Sequence, residues 1–235
     1  MRIYSRFPEA FEEIKRDLKE MGVEVHTKTM QNKVIEGDPS YDTIELQNYI
    51  YTVTSPQLED LQPTQPWADA EWLERLDGIQ GNPVNPGEAW KFRREVWEEF
   101  LVPDMGTQEY EDGFEYTYSE RFNYCQQVEN VIERLRKDPA SRQAYVSMWR
   151  PQDSRRLGRM RVPCSLGWLF QVRRDRLDMT YFMRSCDFHT HFQNDVYLAC
   201  RLQGYIGKEI GYPPGHYTQY MGSLHMYRKD VPDTF

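Results

Sequence analysis

Residues Pro163–Asp195 read PCSLGWLFQVRRDRLDMTYFMRSCDFHTHFQND and indicate the fold more clearly than any other part of the chain. Within it, residues 166–172 and 177–183 are apolar, aromatic and β-branched, and charged residues separate the two runs. Runs of this kind predict neighbouring strands of one sheet. The apolar residues that follow return at helical spacing and predict a helix over 195–205. The segment therefore predicts a sheet with a helix packed on it.

Outside this stretch, periodic apolar residues predict four more helices, and β-branched runs predict two more strands. The helices are expected over 8–22, around 72–78, around 90–100 and over 122–137, and the strands over 43–53 and 144–149. Gly22 and Gly78 are expected to end the first two helices. The fold class is therefore α+β, with helices packed on a mainly antiparallel or mixed sheet. We expect one domain over residues 1–235.

The composition of the chain limits the classes of partner that we expect. A formal net charge of −8 argues against broad binding to nucleic acid polymers, which requires a basic surface. The four cysteines form no CxxC pair, so we expect free thiols and no metal site. No apolar run approaches the roughly 20 residues that span a bilayer, and the first residues lead into no signal-like segment. We therefore expect a cytoplasmic protein without membrane contact.

Cys164 is a candidate nucleophile because four arginines precede it closely and are expected to lower its pKa. These arginines are Arg155, Arg156, Arg159 and Arg161. On local context alone, the ordinary interpretation is a small buried apolar residue within a strand. Arg184, Ser185 and Asp187 lie about twenty residues further on and offer a guanidinium, a hydroxyl and a carboxylate that suit a phosphate monoester. The alternative is a surface salt bridge between Arg184 and Asp187.

Two further groups suit a nucleotide. His225 and Tyr227 would share one face of a strand and reach a ribose hydroxyl, unless they form only a buried hydrogen-bonded pair. The Ser141-Arg142 pair after Asp138-Pro139 would be a second basic site, although such a pair is ordinary in isolation. Together these residues suggest an enzyme that modifies a nucleotide.

The order and spacing of five motifs resemble those of thymidylate synthases and the related pyrimidine nucleotide hydroxymethylases. The motifs are Ser141-Arg142, Pro163-Cys164, Arg184-Ser185-Cys186-Asp187, Asn194-Asp195 and residues 222–227. The resemblance implies a homodimer formed through the sheet. It also implies attack of a cysteine on C6 of a pyrimidine nucleotide while 5,10-methylenetetrahydrofolate supplies one carbon to C5.

The resemblance assigns a role to each matching residue. Cys164 resembles the nucleophile, and Arg184 and Ser185 resemble the phosphate site of the same subunit. Arg142 resembles an arginine that is donated across the dimer interface. His225 and Tyr227 resemble the ribose contacts, and Asp187 resembles an aspartate near the pyrimidine and pterin rings. Glu71 best matches a glutamate that relays protons through water, with Glu74 and Asp69 as alternatives. Trp97 resembles a tryptophan that lines the cofactor pocket, and Tyr118 a tyrosine near the nucleophile.

Asp195 is expected to select the base. Thymidylate synthases have an asparagine at this place, whereas the chain resembles the cytidylate hydroxymethylases in its Asn194-Asp195 pair. A carboxylate accepts from the cytosine amino group and, if it or N3 carries a proton, satisfies the second hydrogen bond too. The alternative is an aspartate that only caps the helix beginning at Val196.

The resemblance also bears on the product. Only eight residues follow Tyr227, where the synthases continue into a segment that closes the site against water, so we expect hydration to a 5-hydroxymethyl group. The alternatives are a methylating enzyme, acting on uridylate or cytidylate, and a nucleotide-binding homologue without folate chemistry.

Several residues depart from the family pattern. Gln143 stands in place of a second phosphate arginine, and Leu169 stands where a glutamine is usual, with Gln171 two residues further on the same face. His191 replaces a glycine in the loop before Asp195. The N-terminal arginine loop is not recognisable, and Lys28, Lys33 or Arg6 are candidate substitutes.

Overall fold

The computed structural model describes residues 2–30, 33–105, 111–156 and 161–231. Its α-helices are α1 (Phe7–Met21), α2 (Trp67–Ile79), α3 (Arg94–Trp97), α4 (Tyr118–Asn123), α5 (Gln127–Lys137) and α6 (Phe192–Ile210). Its strands are β1 (Arg2–Tyr4), β2 (Val23–Val25), β3 (Thr29–Met30), β4 (Lys33–Val34), β5 (Thr43–Val53), β6 (Leu101–Val102), β7 (Gly113–Phe114), β8 (Ala144–Ser147), β9 (Ser165–Arg173), β10 (Arg176–Asp187) and β11 (Pro214–Tyr227). The fold class is α+β, as predicted.

Seven of these strands form one mixed sheet in the order β1-β5-β11-β10-β9-β8, with β2 also paired to β5. The β1–β5 and β10–β11 pairs are parallel, and the other pairs are antiparallel. Two pairs, β3–β4 and β6–β7, form separate small hairpins. The sheet therefore places the ends of β9, β10 and β11 side by side.

The helices cover one face of this sheet. Residues alternate along β10 between buried and half-buried, so one face of the strand enters the core and the other remains accessible. On the buried face, Trp168 stacks on Tyr181 at 5.0 Å and on Phe122 at 5.5 Å between ring centroids. On the other face, Phe182 contacts Tyr145 and Tyr220, each at 6.4 Å. The core thus lies between the sheet and the helices, and an aromatic row faces outward.

Several sequence predictions agree with these elements. The strand over 43–53 is confirmed, and the helix over 8–22 ends before Gly22 as expected. The helix around 72–78 begins earlier, at Trp67, and continues through Gly78, so the predicted stop is wrong. A Cβ atom at Gly78 would lie 2.0 Å from the Ser119 carbonyl oxygen. The glycine is therefore required for close approach of α2 to α4 rather than for a helix end.

Two predicted helices are interrupted. The helix over 122–137 divides into α4 and α5, because Cys125 and Gln126 adopt positive φ angles of 55° and 50°. The helix around 90–100 consists of the single turn of α3 between two short 3₁₀ segments. Hydrophobic spacing predicts both regions as helical but carries no signal for these breaks.

The last predicted helix, over 195–205, begins earlier and ends later, as α6 from Phe192 to Ile210. His191 occupies the cap position, and the Asp195 backbone N–H donates to the His191 carbonyl oxygen at 2.9 Å. Asp195 is therefore inside the first turn, and its interpretation as a helix cap is wrong. Among the described residues, no helix is long and apolar enough to cross a membrane.

Candidate active site

The start of β9 is shaped by an irregularity in its pairing with β10. Gly167 lies opposite Phe182, but the next pair is Ser165 with Met183, so Leu166 is an extra residue on β9. Bulges of this kind bend a strand and redirect its side chains. Just beyond the bulge, the Arg184 backbone N–H donates to the Cys164 carbonyl oxygen at 2.9 Å. The bulge and this bond fix the backbone of Cys164 at the edge of the core.

The Arg184 guanidinium is hydrogen-bonded to the two residues that precede Cys164. Its Nε donates to the Pro163 carbonyl oxygen at 3.0 Å, and one terminal nitrogen donates to Val162 at 3.3 Å. The same nitrogen lies 3.7 Å from Cys164 Sγ. Both side chains are half-buried, so the thiol is not simply a core residue. The structure therefore brings the candidate nucleophile and the candidate phosphate ligand together.

The charge around Cys164 differs from the sequence expectation. Burial raises the pKa of the thiol, and the positive charges of Arg184 and then Arg161 oppose that effect without reversing it. Arg156 instead pairs with Glu115 at 2.7 Å. Arg159 lies outside the described residues. The prediction of a lowered pKa is wrong in its net direction, because loss of water outweighs the nearby guanidinium groups.

Tyr118 lies directly against the nucleophile segment. A capping box between Thr117 and Glu120 fixes the start of α4 and makes Tyr118 its first residue. The Tyr118 hydroxyl oxygen accepts from the Ser165 backbone N–H at 3.2 Å, and Ser165 Oγ lies 2.5 Å from the Tyr181 hydroxyl. Two tyrosines therefore hold the residue that follows Cys164.

Asp195 is half-buried at the first turn of α6. Burial raises the pKa of its carboxyl group to about 7, and the neighbouring carboxylate of Asp187 adds to that shift. The positive charges of Arg75 and Arg93 act in the opposite direction. Its Oδ2 is 4.0 Å from the Cys186 sulfur, a weak contact at the limit for a thiol hydrogen bond. At neutral pH this group is therefore close to its midpoint of ionisation.

The predicted ribose and ring contacts lie at the ends of two parallel strands. Asp187 and His225 face each other in the register of β10 and β11, and the His225 and Tyr227 rings meet edge to face at 5.3 Å. The Asp187 carboxylate accepts from the His189 and Thr190 backbone N–H groups, at 3.0 and 3.2 Å. It forms no ion pair with Arg184 among the described residues, so the alternative of a surface salt bridge is wrong.

Three acidic residues of α2 were candidates for the proton relay, and the structure separates them. Glu71 accepts from Arg75 Nε at 2.9 Å, and its charge acts on Asp195. Glu74 accepts from the Ala89 backbone N–H at 2.7 Å, and burial raises its pKa to about 7. Asp69 is exposed and contacts the Tyr197 hydroxyl. Of the three, Glu71 is the one whose charge acts on Asp195 most strongly.

Trp97 and His191 form an aromatic surface beside the candidate site. Their ring centroids are 6.1 Å apart, and the Arg161 guanidinium lies 5.2 Å from the Trp97 ring. Burial lowers the pKa of His191 to about 4, so its ring is neutral at pH 7. Trp97 Nε1 and one terminal nitrogen of Arg93 are buried donors with no acceptor in the described ranges. Buried donors without an acceptor are uncommon, so this pair marks the region as a candidate for ligand contacts.

Other predicted residues are not gathered into this site within one chain. Arg142 is exposed on the turn after α5, and the Gln143 side chain accepts from Arg134 at 2.9 Å. Arg6 is held by Asp60 at 2.7 and 2.6 Å, and Lys28 pairs with Glu36 at 3.0 Å. The Lys33 side chain lies outside what the structure describes.

Three remaining predicted positions lie on the sheet. Ser185 is half-buried on β10 opposite Ser223 of β11. Leu169 and Gln171 lie on β9, opposite Thr180 and Asp178.

Arg75 and Arg93 were not predicted as site residues from the sequence. Both are buried arginines, with relative exposures of 6% and 5%, and both act on Asp195. The spacing of Glu71 and Arg75, four residues apart on one helix, was the available signal. It was not distinctive, because such pairs are common on exposed helices.

A mixed sheet that joins a thiol, a guanidinium and two carboxylates at one edge defines a class of α+β domains with a cysteine-centred site. Comparison with known proteins refines this class. The family model described as thymidylate synthase matches residues 76–234, and the chain belongs to the thymidylate synthase family. Glu71 and Arg75 lie just before the matched range.

Individual relatives agree with this assignment. A protein of Methanosarcina barkeri named "Putative thymidylate synthase" is 31% identical over 147 residues, which cover 60% of this chain and 65% of the relative. Proteins of the same name from Methanosarcina mazei and Methanocaldococcus jannaschii are 32% and 26% identical, over 50% and 83% of this chain. The match covers 55% and 80% of their own lengths. The chain thus spans less than two thirds of the first two relatives.

Proposed function

We propose that this protein transfers a one-carbon unit to C5 of a cytidine 5′-monophosphate and yields a 5-hydroxymethyl product, with dCMP favoured over CMP. The observation that carries the proposal is the Asp195 carboxylate, half-buried within electrostatic reach of Cys164. The Arg184 guanidinium beside the same sulfur suits a phosphate monoester. In this proposal, residues 1–235 act as one catalytic domain.

The chemistry of the base explains why Asp195 favours cytosine. Cytosine presents a donor at its amino group and an acceptor at N3. A carboxyl group that shares one proton with N3 answers both, because one oxygen accepts while the other receives or donates the shared proton. The pKa of Asp195, about 7, makes that proton available near neutral pH. Uracil O4 is a much weaker base than cytosine N3, so it gains less from the shared proton.

Cys164 is the proposed nucleophile. As its proton passes to water, the sulfur would bond to C6 of the ring, which makes C5 electron-rich for bonding to the transferred carbon. Loss of the C5 proton and addition of water to that carbon would then expel the thiolate. The pKa of the thiol is raised by burial, so attack requires the positive charge of Arg184 to remain close while the phosphate binds. Glu71, which accepts a hydrogen bond from Arg75, would exchange protons with the ring through water.

The pocket wall also fits a folate. Trp97 supplies an aromatic surface and a free indole N–H, Arg93 supplies a second free donor, and Asp187 supplies an acceptor. A pterin ring carries both acceptors and donors at its edge, so these residues are suited to hold it. When bound, 5,10-methylenetetrahydrofolate supplies the one-carbon unit. Hydration as the outcome rests on the resemblance of Asn194-Asp195 to the cytidylate hydroxymethylases.

The proposed assembly is a homodimer formed through the open face of the sheet. The outward row of Tyr145, Phe182 and Tyr220 offers an aromatic surface there, with Tyr145 41% exposed. Arg142 is exposed on the turn after α5, as expected for a residue donated to the neighbouring subunit. It would then replace some of the phosphate charge lost at Gln143.

Product mass tests this function directly. We expect incubation with methylenetetrahydrofolate and dCMP, CMP or dUMP to add CH2O to dCMP, with CMP slower and dUMP slowest. Gain of CH2 by dUMP would instead indicate a thymidylate synthase, and gain of CH2 by dCMP a cytidylate methyltransferase.

The third alternative, binding without folate chemistry, has a separate test. Exchange of the C5 hydrogen of dCMP with solvent requires the nucleophile but not the folate. We expect the parent protein to exchange this hydrogen and Cys164→Ser to lose exchange while still binding dCMP. If neither dCMP nor CMP exchanges, the catalytic proposal is wrong.

A further inference from the structure

Arg75 is a buried arginine at the centre of the charged residues around Asp195. It lies in the second half of α2, with a relative exposure of 6%, and belongs to none of the five motifs that carry the family resemblance. A buried guanidinium is costly unless it is paired, so its presence requires an explanation. The described contacts of Arg75 are with two residues of the candidate site, Glu71 and Tyr118.

Two contacts fix the position of this guanidinium. Its Nε donates to the Glu71 carboxylate at 2.9 Å, and its carbon lies 4.8 Å from the centre of the Tyr118 ring. The Tyr118 hydroxyl in turn accepts from the Ser165 backbone N–H, next to Cys164. Arg75 therefore connects the proposed proton relay on α2 to the tyrosine that holds the nucleophile segment.

The close approach of two helices makes this connection possible. Gly78, one turn beyond Arg75, lets α2 pack against the backbone of Ser119 in α4. Because Tyr118 precedes Ser119, this contact brings the tyrosine ring under the guanidinium. Only Nε of Arg75 donates a hydrogen bond within the described part of the chain, so the two terminal nitrogens are left for a ligand or water.

Asp195 is surrounded by groups from several elements. The charged groups that shift the pKa of Asp195 are Glu71 and Arg75 of α2, Arg93 at the start of α3 and Asp187 of β10. In turn, the charge of Asp195 raises the pKa of Tyr118 of α4, Cys164 before β9, and Tyr181 and Cys186 of β10. Among the charges that act on Asp195, that of Arg75 has the largest effect. Glu71 and Asp187 act in the opposite direction, and Arg93 assists Arg75.

We propose that Arg75 is a positioning residue that holds Glu71 and Tyr118 in place beside the Cys164 segment and supplies the buried positive charge that acts on the base-reading carboxylate Asp195. The inference rests on the proposed function, since it assigns Asp195 to the pyrimidine. Removing the positive charge would leave Asp195 protonated in the free protein at higher pH. A lysine would keep the charge but could not bridge Glu71 and the Tyr118 ring with a planar fork.

Proton uptake on nucleotide binding distinguishes these effects. Isothermal titration with dCMP at pH 8, in two buffers of different ionisation enthalpy, measures the protons taken up. The parent should take up about one proton, because Asp195 is mostly ionised before binding and shares a proton with N3 afterwards. Arg75→Gln should take up less than half as many, since Asp195 already holds its proton. Arg136→Gln, which removes an arginine from a surface pair with Glu209, should match the parent.

The lysine variant tests the positioning role. Arg75→Lys should keep the proton uptake of the parent but exchange the C5 hydrogen of dCMP roughly tenfold more slowly, because Glu71 is no longer held. Circular dichroism and thermal unfolding establish that each variant is folded. Since lysine retains the buried charge, this variant remains informative if Arg75→Gln does not fold.

The outcomes separate the two proposals. If the parent does not bind dCMP, or binds it without proton uptake at pH 8, the proposed function is wrong at the base pocket. If the parent behaves as expected while Arg75→Gln takes up as many protons as the parent, the control of Asp195 by Arg75 is wrong. If Arg75→Lys exchanges the C5 hydrogen at the parental rate, the positioning role is wrong.

Discussion

At the scale of the single residue, Asp195 combines two properties that rarely occur together on a surface carboxylate. It is half-buried, with a pKa of about 7, and it lies among opposing charges from α2, β10 and the start of α3. Groups with such shifts concentrate at functional sites. The residue is therefore suited to reading a base through a shared proton.

Replacing this carboxylate by an amide should change the preferred base. Asp195→Asn should move the ratio of turnover on dCMP and dUMP toward dUMP by roughly tenfold or more, because a mismatched polar pair costs about 1–3 kcal/mol. Competition between the two nucleotides in one reaction measures the ratio. Asp178→Asn, which changes a carboxylate bonded to the His216 backbone far along β10, should leave it unchanged. An unaltered ratio in Asp195→Asn would contradict our account of base recognition.

The same carboxylate should affect stability in a defined pH range. Its folded pKa, about 7, is above the value of 3.8 for an unperturbed aspartate, so the folded state holds a proton that the unfolded state lacks between these values. The free energy of unfolding should therefore fall as pH rises from about 4 to 7. Asp195→Asn should flatten this decline and exceed the parent at pH 8 by about 1–3 kcal/mol. Urea unfolding at pH 5 and pH 8 measures both effects.

Among the site residues, spacing in the sequence predicted Cys164, Arg184 and Asp187, and the structure places the first two in contact. Those predictions were possible because Cys164 lies just before β9 while Arg184 and Asp187 lie on β10, and two strands that follow each other in the sequence usually pair. Arg75 and Arg93 could not be predicted, because their importance depends on distances to Asp195 across three elements. The net pKa of Cys164 was also inaccessible, since it depends on how much water the fold excludes.

Among the secondary-structure elements, the contact between α2 and α4 fixes where Glu71, Arg75 and Tyr118 lie relative to one another. Gly78 permits backbone contact with Ser119, and both Glu71 and Arg75 lie on the helix that this contact fixes. Hydrophobic spacing identified α2 but not its start, and it placed the helix end at Gly78. A glycine used for packing cannot be told from a glycine that ends a helix without the partner surface.

Gly78→Ala should destabilise the protein. The new Cβ would lie 2.0 Å from the Ser119 carbonyl oxygen, so α2 and α4 must separate, at a cost of about 1–3 kcal/mol. This cost exceeds the helix-propensity gain of about 1 kcal/mol. Gly204→Ala in α6 is the matched control, because nothing lies within 4 Å of its new methyl group and the variant should be slightly stabilised. Chemical denaturation compares the two; equal stabilisation would refute the packing role.

Four of the eleven described strands, β5, β8, β9 and β10, were predicted to within a few residues, and β11 was anticipated only at His225 and Tyr227. The helical regions around 90–100 and 122–137 were predicted as continuous. Strand boundaries here coincide with charged or turn residues that are visible in the sequence. The break at Cys125 and Gln126 depends on backbone angles that neither residue type announces. Local patterns therefore predicted four strands of the seven-stranded sheet but neither its short strands nor the junctions between helices.

At the scale of the whole molecule, the mixed sheet separates two tasks between its faces. One face packs on the helices, while the other carries the aromatic row that we propose for the dimer. A closed homodimer uses the same face of each subunit. The α+β class could be predicted from the alternation of patterns, but partner contacts could not, because one chain's sequence does not specify which face remains uncovered.

Subunit mixing tests the dimeric site. Cys164→Ser and Arg142→Ala should each be nearly inactive, yet their mixture after unfolding and refolding should regain about a quarter of parental activity. Half of the dimers formed at random would be hybrids, and each hybrid has one site with both an intact cysteine and an intact partner arginine. Turnover of dCMP measures the recovery, with each variant refolded alone as the control. No recovery would show that Arg142 does not act across an interface.

In the resting protein, the Arg184 guanidinium is held by hydrogen bonds to the carbonyl oxygens of Val162 and Pro163. The sulfur is held behind an occupied guanidinium and keeps its proton, because burial raises its pKa. Peroxide and alkylating agents react with thiolates, so the idle protein should resist oxidative damage at this position. Because the Arg184 charge favours the thiolate, moving the guanidinium away should deepen this resistance, and chemical vulnerability should rise only when a base removes the proton while the guanidinium stays in contact.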